Sequence, residues 1–198
     1  MINPGTISYG VPHPAWETCG YSSQNVKMAI SKIIFLTDTM MTGEKFNLMY
    51  GSNPACICGH PLETRFHIIL DCPIYSELRE FCTKQIVDII AINHKKIMLS
   101  TVLNRTVLAH LILDPSWYRN DIGSSTKGMP NILNVETANK IEVIGRTFCF
   151  QVYKKRFNIL TDIENDSDSE TSCEDSYSIH DTSSEISDSE YSSYDGFS

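Results

Sequence analysis

Two cysteines one residue apart, Cys56 and Cys58, are followed by His67 and Cys72, and the pattern Cys-x-Cys-x8-His-x4-Cys restricts this chain more than any other feature. Three thiols and one imidazole form the complete soft donor set of a closed tetrahedral Zn2+ centre. A shared ion requires residues 55–73 to fold back on themselves as a knuckle loop inserted into a larger body. Gly59, directly after the first pair, permits the tight reversal that aims both sulfurs inward. A short helix over 64–71 then projects His67 from its face and Cys72 from its end, where Pro73 stops it. His60 is a second candidate for the nitrogen ligand, ranked below His67 because it follows Cys58 so closely that it would strain the same loop. The plainer alternative is three free thiols and a surface histidine. Cys19, Cys82, Cys149 and Cys173 lack compatible neighbours. The first three read as core or near-core residues and the last as a solvated thiol.

The apolar periodicity around this loop is helical. Val26, Ala29, Ile30, Ile33, Phe35, Leu36 and Met40 recur at mostly three- and four-residue spacings behind the candidate caps Ser22 and Ser23. A second short helix follows Thr42 and stops at Gly51. Beyond the loop, Tyr75, Leu78, Phe81, Cys82, Ile86, Ile89 and Ile90 trace one stripe. Residues 101–113 trace another, ended by Asp114-Pro115, and Val135, Ala138, Ile141, Ile144, Phe148, Val152 and Phe157 mark a long last helix. Residues 116–133, rich in Gly and Ser, read as a loop. Residues 1–23, with Pro12, Pro14 and Trp16, favour neither helix nor strand and read as a loosely packed irregular leader. The expected fold is therefore mainly α: a small helical domain over 24–160, an inserted CCHC zinc-knuckle loop at 55–73, and a disordered acidic tail over 161–198.

Charge separates body from tail. All 16 Lys and Arg lie at or before Arg156, while the 24 acidic residues divide equally at Asp162, so the body carries a formal +4 and the tail −12. The serine-rich tail holds no Lys or Arg and too little apolar surface to offset its ordering entropy. Ser167, Ser169, Ser187 and Ser189 lie among acidic neighbours, a context suited to an acid-directed kinase, and a basic protein is a second possible partner. Met1 to Gly20 lacks the basic start and apolar run of a secretory signal, and no apolar stretch approaches the roughly 20 residues that span a bilayer. These features place the chain inside the cell, in nucleus or cytoplasm, where clustered cysteines bind metal more often than they form disulfides.

The succession His13-Pro14-Ala15-Trp16, Ile34 to Thr42, Phe46-Asn47, Cys56-Ile57-Cys58-Gly59, Glu63-Thr64, His67, Leu70, Cys72-Pro73, Tyr75 and Arg79 resembles the C-terminal region of non-LTR (LINE-type) retrotransposon polyproteins. The similarity in order and spacing covers about 13–160. Leu111 to Asp114 and Arg146 to Phe150 resemble the helices that follow the knuckle in some members. The resemblance implies that Cys56, Cys58, His67 and Cys72 ligate zinc. It also implies that the knuckle, downstream of the reverse transcriptase in that family, touches template RNA or target DNA, and that this chain is a remnant or split-off piece of such an element. Polymerase chemistry is not expected, because the two-metal mechanism needs paired carboxylates and the chain has neither an Asp-Asp pair nor room for a palm domain. No Ser-His-Asp set, phosphate loop or HExxH pattern suggests another enzyme.

Binding RNA or DNA requires basic side chains on one face and aromatic rings to stack on bases. The candidates are Arg65 and Phe66 beside the knuckle, Tyr75 and Arg79 after it, Lys95 and Lys96, and Lys154, Lys155 and Arg156 on the last helix. A helical protein-interaction module with a purely structural zinc site and a regulatory acidic tail is the competing expectation.

Overall fold

Ser22 starts the first long helix by accepting the Asn25 N–H at 3.2 Å, and the remaining elements follow from similar local signals. In the computed structural model, which describes residues 13–93, 102–119 and 133–168, the order is α1 (Pro14–Glu17), α2 (Ser23–Leu36), α3 (Gly43–Tyr50), α4 (Ser76–Asn93), α5 (Arg105–Leu113) and α6 (Val135–Asp168). Asn104 caps α5 by accepting from the Thr106 and Val107 amides, and Asn134 caps α6 by accepting from Thr137. Gly51 ends α3. Among the described residues the protein is mainly helical and holds no strand, only an isolated bridge between Arg119 and Leu133. None of these helices is long and apolar enough to cross a membrane.

One apolar core joins Phe35 of α2, Cys82, Ile86 and Ile90 of α4, Leu111 to Leu113 of α5 and Ile141, Phe148 and Val152 of α6. Cys56, Ile68, Ile69 and Cys72 belong to the same cluster, so the cysteine loop is built into the body and not appended to it. At the α5–α6 crossing, a Cβ on Gly145 would stand only 2.2 Å from the Ile112 carbonyl oxygen. Only a residue without a side chain lets the two backbones meet there. Cys19, Cys82 and Cys149 are buried as expected, and burial pushes the thiols of Cys82 and Cys149 up to about 12, which makes them unreactive.

Three expectations are corrected. The segment read as a loosely packed leader is fastened down from residue 13 onward. His13 caps α1, Pro14 supplies the preset φ of a first helical residue, and Ala15 is buried. Arg146 of α6 donates to the carbonyls of Ala15 at 3.0 Å and Thr18 at 3.3 Å, satisfying acceptors that so short a helix leaves free. In α2 the periodicity placed Ile30 in the core, yet it is 44% exposed, while Lys32 is fully buried against Glu142 at 2.6 Å. An ion pair between distant residues has overridden hydrophobic ranking. Finally, α6 runs past Leu160 to Asp168. The rest of the expected disordered tail, the loop at 120–132, residues 1–12 and Cys173 lie outside the described residues.

Acid should loosen the region around α1 and α5. Asp114 is buried, but His13 at 3.5 Å and the bonds from Ser116 outweigh that burial and hold its carboxyl below the ordinary value of 3.8. Burial holds His110, stacked on Trp117, below its ordinary 6.5. Both groups bind protons more readily in the unfolded chain, so their stabilisation is complete above those ordinary values and is lost as pH falls through and below them. Thermal midpoints read by tryptophan fluorescence should drop between pH 7 and 5 and again below about pH 4. A midpoint constant over that range would contradict this.

Candidate metal centre

The loop that follows α3 closes on itself through main-chain bonds. Cys56 N–H donates to the His60 carbonyl at 2.8 Å, Gly59 N–H to the Cys56 carbonyl at 2.8 Å, and Glu63 N–H to the Pro54 carbonyl at 2.8 Å. Gly59 takes φ 89°, the left-handed geometry anticipated for the reversal. Thr64 then caps the next turn by accepting the His67 N–H at 3.0 Å.

Residues His67–Asp71 form a π-helical turn, in which Cys72 N–H donates to the His67 carbonyl at 2.7 Å. This detail matters for the site. Five residues of ordinary α-helix would carry Cys72 about 140° around the axis from His67. The wider turn brings Cys72 back towards the side on which His67 lies, and the extended ψ of Cys72 then turns the following chain out of the helix.

The ligand atoms of Cys56, Cys58, His67 and Cys72 all lie within 4.8 Å of one another. The Sγ atoms of Cys56 and Cys72 are 3.8 Å apart, and Cys58 Sγ is 3.3 Å from His67 Nε2. Tetrahedral coordination with ordinary zinc bond lengths separates sulfurs by about 3.8 Å and sulfur from nitrogen by about 3.6 Å. The side chains therefore fit a single ion, and a Cys3His cluster of this geometry could hold a metal. His60 is not among the four. Its ring stacks on His67 with centroids 4.2 Å apart, and its Nδ1 faces the Leu62 main chain. The structure thus prefers His67 over the alternative.

Burial pushes the Cys56 and Cys72 thiols above their ordinary value; the Cys58 and Cys72 thiols add to the rise at Cys56, whereas at Cys72 the Cys58 thiol adds to it and the Cys56 thiol opposes it. For Cys58 burial acts in the same sense, but hydrogen bonding from the His60 main chain and the other two thiols outweighs it and lowers the value. Burial and nearby His60 keep His67 neutral more readily than in solution. A divalent cation reverses the preference of the raised thiols, since it binds thiolate and displaces the protons.

The residues put forward for RNA or DNA are mostly committed inside the protein. Arg65 donates to the carbonyls of Phe35 at 2.9 Å and Leu36 at 3.0 Å, pairs with Asp38 and lies over the half-buried Phe66 ring. Arg79 donates to the carbonyls of Cys72 at 2.9 Å and Ile69 at 3.3 Å. Lys155 reaches the Ile74 carbonyl at 2.8 Å, and Arg156 pairs with Glu63 at 2.7 Å. Tyr75 is 1% exposed, so its ring packs in the core and is not offered to a base. Lys154 remains on the surface, and Lys95 and Lys96 lie outside the described residues.

Glu63 is the residue that sequence reasoning passed over. Its carboxylate is buried at 2% exposure, accepts the Gly43 N–H at 2.7 Å, and approaches Cys56 Sγ at 3.7 Å. It entered the sequence reading only as part of Glu63-Thr64 in the family resemblance, with no role assigned, and its other signal is position, a carboxylate between the two candidate ligand pairs. Comparison with family models, curated proteins and solved structures finds no match for this chain.

Proposed function

We propose that this chain is a non-catalytic, zinc-organised module of LINE-type retrotransposon descent that binds RNA or DNA through the surface around its knuckle. The convergence of Cys56, Cys58, His67 and Cys72 carries the reading. The donor set favours zinc over harder cations, and three thiolates with one imidazole fill all four positions, leaving none for a reacting water. The ion then serves to fix the loop and not to transform a substrate. The exposed His60 ring, Ile57 at the loop tip, Phe66 and Lys154 are the groups left to meet bases and phosphates.

Purified full-length protein should contain one zinc per chain by elemental analysis. Fluorescence anisotropy with a single-stranded RNA or DNA oligonucleotide should show binding that weakens about five- to tenfold between 50 and 200 mM salt, as expected for about two phosphates neutralised on a single strand. No retention at the lower salt would remove the nucleic-acid half of the proposal.

That outcome would favour the second reading, a protein-interaction module with a structural zinc. One observation supports it. The basic side chains are largely spent on internal partners, whereas α3 exposes Phe46, Leu48, Met49 and Tyr50. In this reading the acidic, serine-rich segment after residue 161 engages a basic protein or a kinase.

A further inference from the structure

We propose that Glu63 and Arg156 are an outer-sphere pair of the metal centre, through which occupancy of the site holds the last helix in place. The inference rests on the metal reading above and adds a consequence for a part of the chain far from the ligands in sequence.

Glu63 belongs to the same closed loop as Cys56 and Cys58, and its main chain is tied to Pro54 on one side and to Glu44 on the other. Its two carboxylate oxygens divide the work. Oε2 accepts from the Gly43 amide and from Arg156 Nη2, each at 2.7 Å. Oε1 accepts from Arg156 Nε at 3.3 Å and stands 3.7 Å from Cys56 Sγ. One carboxylate therefore touches a ligand sulfur, the start of α3 and the guanidinium of α6. The fork of Arg156 is bidentate, with its side chain 11% exposed, which favours a defined geometry over a loose surface pair. Lys155 adds a second fastening, to the Ile74 carbonyl just beyond Cys72. Helix α6 thus grips the metal loop on both flanks.

Electrostatics gives the pair its dependence on the ion. Three thiolates, a neutral imidazole and a divalent cation sum to one negative charge, and Glu63 places a second beside Cys56. Without a cation at that position the two would repel. Arg156 supplies the compensation, so the loaded centre and the α6 contact support each other. Outer partners of this kind contribute to metal affinity although they touch no ion. When the ion leaves, the loop loses the cross-link that aims Glu63, and Arg156 loses a fixed acceptor.

Hydrogen exchange of the full-length protein, with zinc and after chelation, reads the coupling directly. Chelation should speed exchange of the α6 amides around 152–160 at least tenfold, together with those of the ligand loop. Arg156→Gln and the near-isosteric Glu63→Gln should each weaken zinc binding about 10- to 100-fold in chelator competition. With zinc bound, both should show faster α6 exchange, and the double variant should be little worse than either single one, since the two act as a unit. Lys84→Gln, which removes one positive charge from an exposed position of α4, controls for net charge and should bind zinc as the parent does. The proposal is overturned if the parent binds zinc, the loop responds to chelation, and α6 exchange stays unchanged. It is equally overturned if Arg156→Gln keeps parental affinity and protection. Absence of any zinc uptake by the parent would instead overturn the metal reading beneath it, and this coupling with it.

Discussion

Chelating the metal, or replacing Cys72 with Ser, is expected to lower the thermal midpoint by about 15 °C or more, or to abolish the cooperative transition. A structural zinc contributes on the order of 10 kcal/mol to the folding of small zinc-binding peptides, while whole domains are stable by only about 5–15 kcal/mol. Even half of that contribution, at about 3 °C per kcal/mol for a chain of this size, gives the stated shift. The effect should not stay local, because Cys56 and Cys72 lie in the same core as Phe35, Ile86, Ile112 and Phe148. Calorimetry with and without chelator, and on Cys72→Ser and Cys56→Ser, measures it. A parental midpoint indifferent to chelation would leave the four side chains as free thiols and a histidine, and the zinc proposal would fall.

The second large effect is expected at the pair of Lys32 and Glu142, both completely buried and joined at 2.6 Å. Removing one partner strands a charge in the core, and Glu142→Ala or Lys32→Ala should cost about 3–5 kcal/mol. Replacing both with apolar residues of similar volume, Lys32→Met with Glu142→Leu, should recover most of that loss, because neither charge then needs solvation. Glu142 Oε1 has no hydrogen-bond partner among the described residues, which makes the pair more costly still to keep. Denaturant unfolding of the two single variants and the double variant tests this. A double variant as unstable as the singles would show that the pair is required by the fold beyond its charge balance. Such a result would refute the expectation.

Much of the site could be read in the sequence because its information is local. The four candidate ligands fall within the stretch from Cys56 to Cys72, and a spacing so short leaves few ways for the chain to arrange them. Gly59 as the reversal and Thr64 as the start of the ligand-bearing turn followed from the conformations those residues favour. The helical stripes were legible in outline, since burying one face of a helix imposes its own period on the residues beneath, although Phe81 and Phe157, counted in those stripes, are each 62% exposed. What the spacing could not convey was the π turn between His67 and Cys72, which depends on where the following segment is anchored.

The sequence by itself determined the donor set, the predominance of helix and the division between a basic body and an acidic tail. All of these depend on neighbours in the chain or on composition. Tertiary structure alone decided which charges are free. Arg146 is spent on Ala15 and Thr18, Lys32 on Glu142, Arg65 on the end of α2, and Arg156 on Glu63. Each of those partners is distant in sequence, and a buried charge is stable only where the fold delivers a counterpart. Basic residues that looked available to a phosphate are held inside for that reason.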